Sequence, residues 1–215
     1  MNKLLTTIML MFALMFLAAC SGNVQAATSK NEAVSSHYNA DTSKDEVVTK
    51  YIFGSGPHYE SIDEMADAAT DIIRAVVLDE WVDEIDFTLR GDNEEHLDAT
   101  YFITTIHQVK VMEVFQGYSE VGDILEVLQL GGRLGNTIII SVDMLPINIG
   151  DDLVFFLVRR GNDNEWIWIL NNNQAAYRFD ERQRSRDAEL ERLSDRNRIA
   201  LTLGDLIQIS ENNMD

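Results

Sequence analysis

Cysteine is almost absent from this 215-residue chain: the single copy excludes an intrachain disulfide and any Cys-rich metal site. Two prolines and 12 glycines are too few for collagen-like or proline-rich architecture. Positive charge is scarce as well. Seventeen Lys and Arg face 36 Asp and Glu, for a formal net charge of −19 and a pI near 4.4. Most of such a surface repels a phosphate backbone, which argues against nucleic acid as a partner. Long apolar runs are missing too: the longest apolar region, residues 4–17, is 14 positions, short of the roughly 20 that a spanning helix needs. What remains, 46% hydrophobic and 25% charged residues, describes one folded body of ordinary domain size with extensions.

The N-terminus carries an address. Lys3 supplies a positive n-region, and residues 4–17 form an apolar segment of signal-peptide length. Leu17, Ala18, Ala19 and Cys20 follow directly, and this order closely resembles the lipobox of bacterial lipoproteins. The resemblance implies cleavage before Cys20, a diacylglyceryl group on that cysteine, and a membrane anchor facing the extracytoplasmic side. One acyl chain binds marginally whereas two or three anchor stably, because each buried CH₂ contributes about 0.8 kcal/mol. Cleavage would also remove Lys3, the only charged side chain before Cys20, taking the net charge from −19 to −20. Ser21, a non-Asp residue after the cysteine, implies the outer membrane if the cell is Gram-negative and the cell membrane otherwise. An ordinary signal peptide cut after Ala26 or Ala27 is the competing reading.

Residues 20–50 are Ser, Thr, Asn, Ala and scattered charges without apolar periodicity, and read as a tether. The body is expected over 51–180, with a helical tail over 181–215 packing on it. Ser61 with Glu64 three residues on makes a capping box, predicting a short helix over 62–70. Strands are predicted at 72–78, 100–115, 123–130, 137–142, 152–158, 165–170 and 175–179 from period-two or fully apolar runs broken by Gly, Asn and Asp. Residues 181–198, with Leu190 and Leu193 three apart, suggest an amphipathic helix, and Thr202 with Asp205 suggests a last helical turn. The fold class is therefore mainly β with flanking helices, a small antiparallel barrel or sandwich.

The order "ATDIIRAVV", "YFITTIHQVKVMEVFQGYSEVGDILEVLQLGG" and "MLPINIGDDLVFFLV" resembles a module of bacterial surface proteins. Its layout is similar to the oligonucleotide/oligosaccharide-binding (OB) barrel in its netrin-like form, and the likeness covers roughly 66–179. It implies an OB-like barrel and transfers no functional residue. Gln116 stands where the lysine of that module's turn usually sits, and the disulfides of the metalloproteinase inhibitors that share the layout are missing.

Candidate sites are few. No G-x-S-x-G elbow occurs, and His37, His58, His96 and His107 form no zinc-binding spacing. Fourteen carboxylates between Glu60 and Asp98 face only Arg74 and Arg90. Asp92, Glu94, Glu95 and Asp98 are weak calcium candidates, since no glycine occupies the EF-hand turn position; a solvated acidic face is the simpler reading. Arg90-Gly91-Asp92 is an adhesion tripeptide of a kind common by chance. Trp166 and Trp168 share a strand face that is either covered by Leu190 and Leu193 or exposed as a stacking platform.

The expected function is a lipid-anchored, non-catalytic binding module of the cell envelope without a cofactor. Its partners would be the membrane, through the anchor, and an envelope protein or surface polymer. The alternatives are an envelope hydrolase with paired Asp/Glu and a calcium-dependent surface protein.

Overall fold

The structure is a computed structural model that describes residues 46–53, 56–86, 101–160, 166–182 and 185–213. The element order is β1 (Val48–Ile52), α1 (Ile62–Ala68), β2 (Asp71–Asp86), β3 (Tyr101–Gln116), β4 (Ile124–Leu130), β5 (Gly132–Leu134) and β6 (Thr137–Ser141). There follow β7 (Asp152–Arg160), β8 (Trp166–Ile169), β9 (Ala176–Arg178), β10 (Glu191–Arg192) and α2 (Leu203–Asn212). The fold is mainly β with flanking helices, as the strand periodicity predicts.

Five strands close a ring. β2 pairs with β3 and β7, β3 with β4, β4 with β8 in parallel, and β8 with β7. That is a five-stranded Greek-key barrel of OB type. Register shifts at Ile72/Ile73, Arg74/Ala75 and Val77/Asp79 bend the long β2–β3 ribbon, the local curvature that closure of so small a barrel demands. Ile73, Ala75, Val77, Val109, Val111, Val127, Leu153, Phe155, Leu157, Ile167 and Ile169 point inward and are buried.

β7 is apolar on both faces because it is covered twice. Its outward Val154 and Phe156, with Ile72 beside them, are buried against a second layer formed by Met65, Tyr177, Leu201 and Leu206. Burying one such side chain contributes about 1.5–3 kcal/mol. Ser61 caps α1 by accepting from the Glu64 N–H at 3.2 Å, while the Glu64 carboxylate accepts from the Glu60 N–H. Thr202 and Asp205 form a reciprocal capping box on α2, whose Leu206 and Ile209 are buried.

Three expectations are corrected. The described residues of 181–198 are turns and β10, not a helix; the C-terminal helix is α2. Only Leu190 and Leu193 would give that segment an apolar stripe, and tertiary pairing offers more. The Leu190 N–H donates to the Leu201 carbonyl, and the buried Asn197 amide donates to the Gln174 carbonyl. The folded part also begins inside the expected tether, with β1 at Val48. Finally, the strand at 137–142 does not join the barrel. It forms β6 of a separate three-stranded sheet of order β1-β6-β5, with β1 and β6 parallel.

Gly131 and Gly132 make this switch of sheets possible. Both have positive φ, 113° and 133°, and a Cβ on Gly132 would lie 2.8 Å from Val82 Cγ1 and 2.9 Å from Thr105 Oγ1. No L side chain fits there without displacing branched neighbours.

Candidate functional site

β3 ends at Gln116, and Gly117 takes φ of 107°; a Cβ there would lie 2.3 Å from the Thr70 carbonyl oxygen. This close approach sets the start of the β3–β4 turn against the start of β2. The Asp71 carboxylate, fully buried, then collects six donors. Its Oδ1 accepts from the Tyr118 and Ser119 N–H groups (both 3.1 Å), from Ser119 Oγ (2.7 Å) and from Arg159 Nη2 (3.1 Å). Its Oδ2 accepts from Thr70 Oγ1 (3.0 Å) and Arg159 Nε (2.8 Å). Burial alone would raise the Asp71 carboxyl, but Arg159, Ser119 and Thr70 together hold it below the ordinary carboxylate value. It is therefore ionised at neutral pH, a fixed anion on which the turn is pinned.

Gln116 completes the pinning. Its Nε2 donates to the Ala66 and Ala69 carbonyls at the end of α1, and its Oε1 accepts from Asn213 beyond α2. This amide ties the ends of both helices to the end of β3.

This frame holds an apolar tip in solvent. Tyr118 is 78% exposed, Val121 69% and Ile124 51%, and Met112 is exposed beside them. The turn between them is ordered by its own bonds: the Gly122 N–H donates to Val111, the Val111 N–H to Asp123, and the Glu120 N–H to the Asp123 carboxylate. Exposed apolar side chains on a rigid turn can contact a partner at low entropic cost. The outer face of β3 and β4 runs back from this tip, and Thr104, Ile106 and Leu128 on it are buried. Lys110 and Ile124 are paired across it, as are Gln108 and Glu126.

A second polar group lies inside the barrel. His107 and Gln129 are buried on facing strands, with His107 Nε2 3.2 Å from Gln129 Oε1. His107 Nδ1 is 3.3 Å from a Glu80 carboxylate oxygen but makes no aligned hydrogen bond. Burial pushes the imidazole below its ordinary value, against the opposing pull of Gln129 and Glu80. Gln129 Nε2 reaches the Leu145 carbonyl at 3.5 Å. Thr105, on the same face, donates to the Gly131 carbonyl. The arrangement orients a neutral imidazole, and the neighbouring hydroxyl of Thr105 is already committed to the backbone. An open polar groove of about 410 Å³ runs along 189–198, lined by both signs of charge, including Glu189, Arg192, Asp195 and Arg198.

Of the residues singled out by sequence, Cys20, His37, His96, Arg90, Asp92, Glu94, Glu95 and Asp98 lie outside the described residues. Among those described, no three His, Cys, Asp or Glu side chains are grouped to hold a metal ion, and no helix is long and apolar enough to cross a membrane. His58 is exposed in a loop. Trp166 and Trp168 are half-buried on the outer face of β8, with Ile167 and Ile169 on the core side. Trp168 is in register with Leu128 of β4 and Val158 of β7. Leu190 and Leu193 belong to the main core together with Ile167 and Ile169. Sequence reasoning missed Asp71, which reads as one more member of the acidic band. Its only local signal is its place at the head of an apolar strand. Comparison of the chain with protein-family models and with curated proteins gives no match.

Proposed function

We propose that the chain is a non-catalytic binding module of the cell envelope, held to the membrane by lipid on Cys20. The observation that carries the binding half is the rigid apolar tip, Tyr118, Val121, Ile124 and Met112, presented by the Asp71 network. The lipobox-like order of Leu17, Ala18, Ala19 and Cys20 supports the anchoring half. The partner is an envelope protein or a surface polymer that meets this tip. Trp166 and Trp168, half-buried on the outer side of β8, are a second candidate surface, aromatic and suited to a sugar ring.

Two measurements test this. Intact mass and membrane fractionation of the expressed chain beside Cys20→Ala should show loss of residues 1–19 plus acyl groups, and release or non-processing of the variant. Crosslinking in intact cells, with and without Tyr118→Ser/Val121→Ser, should give a partner adduct that the double variant loses. An unacylated chain cut elsewhere overturns the anchor, and an adduct indifferent to the tip overturns the binding face.

A further inference from the structure

The three-stranded sheet β1-β6-β5 differs in charge from the long strands β2 and β3 of the barrel. With 36 Asp and Glu in 215 residues, its three strands contain none, and they carry Lys50 and Arg133. It is also where apolar surface is exposed. Of the 14 large hydrophobic residues exposed among the described ones, seven lie on these strands or within one residue of their ends: Val47, Val48, Tyr51, Phe53, Leu134, Ile140 and Val142. Chance placement would not gather half of them onto so small a part of the chain.

The register sorts them further. Thr49 pairs with Ile138, Tyr51 with Ile140, and Arg133 with Ile138, so these residues share one face. Phe53 and Val142 continue that face one step beyond the strands. The opposite face carries Val48, Lys50, Ile52, Ser141, Gly132 and Leu134, and its Ser141–Gly132 part is turned to the protein, since Ser141 is buried and Gly132 abuts Val82 and Thr105. The outward face therefore presents Tyr51, 59% exposed, stacked at 6.3 Å on Phe53, 80% exposed, beside Ile138, Ile140 and Val142. Among the described residues Glu46 lies just before β1, and Asp143, which follows Val142, is paired with Arg196.

We infer that this face is a membrane-docking surface that lays its aromatic and aliphatic side chains on an anionic phospholipid bilayer. The inference rests on the lipid-anchor reading proposed above. Three observations select a lipid surface as the occupant. Aromatic side chains backed by aliphatic ones are the residues that settle at a bilayer's interface. An anionic headgroup layer repels a chain of net charge −19, and among the described residues this face carries no acid and one cation, Arg133. The chain leading from Cys20 also enters the fold at this sheet: β1 begins 28 residues after Cys20, a length that spans at most about 95 Å when fully extended. The geometry then gives the barrel a direction. Thr105 touches the sheet at Gly132, while Gln116 begins the exposed tip, and about 35 Å of strand separates them. Docking by the sheet leaves Tyr118 and Val121 facing away from the bilayer.

The test uses the full chain purified from membranes, with Phe53→Cys or Glu211→Cys labelled by a polarity-sensitive fluorophore. Intact mass on the same samples reports acylation, which also blocks Cys20 from the label. Each is placed in vesicles of zwitterionic and anionic phospholipid carrying a nitroxide-labelled lipid. The expected result is blue-shifted, nitroxide-quenched emission at 53 and neither effect at 211, at the far end of β3. Arg133→Gln should weaken the lipid contact about fivefold at low salt. Emission at 53 that stays unshifted and unquenched overturns the proposal. So does a shift that appears equally in detergent and grows with protein concentration, which would assign the face to a second copy of the chain. If the mass shows no acyl groups, the anchor reading fails by itself, and vesicles added to the same labelled chain still decide the docking face by the same two signals.

Discussion

Asp71→Ala is the perturbation that most directly tests how the exposed tip is held. The substitution removes the acceptor of two backbone N–H groups, Tyr118 and Ser119, and of both Arg159 donors. The Arg159 side chain, only 17% exposed, is left beside a cavity with its charge unpaired. Removing one partner of a buried ion pair costs about 3–5 kcal/mol. With a urea dependence of about 2 kcal/mol per molar for a body of this size, the unfolding midpoint should fall by about 2 M. Tryptophan fluorescence and far-ultraviolet circular dichroism should give coincident transitions, the condition for reading the midpoint as a free energy. Two controls sharpen the case. The double variant Asp71→Ala/Arg159→Met removes the orphaned charge as well, so it should be less destabilised than Asp71→Ala alone. The sign with pH is also set. Because the folded carboxyl is held below its ordinary value, its contribution is complete above the unfolded value of about 3.9 and disappears as pH falls through the lower folded one. The gap between wild type and Asp71→Ala should therefore be full at pH 7 and close in acid. A midpoint within about 0.5 M of wild type at pH 7, or costs that simply add in the double variant, would refute the network as the support of the tip.

Other outcomes follow from single contacts. Gly132→Ala must place a Cβ 2.8 Å from Val82 at a φ of 133°, and should cost about 1–3 kcal/mol in urea unfolding. Gln174→Ala removes the buried amide that accepts from the Tyr59 N–H and donates to the Tyr59 carbonyl; a loss of about 1–3 kcal/mol is expected, together with faster proteolytic cleavage near Pro57. The buried His107 imidazole resists protonation, so the unfolded state binds more protons below about pH 6.5 and stability should fall as pH drops through that value. His107→Gln should flatten that slope between pH 7 and 5 in thermal melts.

Much of the fold was written in local pattern. The period-two run at 100–115 became β3 at Tyr101–Gln116, and 152–158, apolar on both faces from Val154 to Val158, became β7. Ser61 and Thr202 cap helices as their spacing predicts. These signals act within a few residues, where side-chain alternation and capping chemistry need no distant partner. The charged run 181–198 misled for the same reason: it carries helix-forming residues but too little apolar surface to hold a helix on the body, and pairing of Leu190 with Leu201 decided its course.

What the tertiary structure alone decided was partnership. The residues that pin the tip, Asp71, Ser119 and Arg159, are 48 and 88 positions apart in sequence, and no local pattern separates this carboxylate from 13 others in the same band. Nor does local pattern show that β8 closes the ring in parallel with β4, or that two glycines after β4 send the chain into a second sheet. Net charge, the lipobox-like N-terminus and the β-rich class are properties of composition and short-range order. The barrel's closure, the buried anion and the acid-free outer face of the small sheet depend on which strands meet, and that is settled only when the whole apolar surface is buried at once.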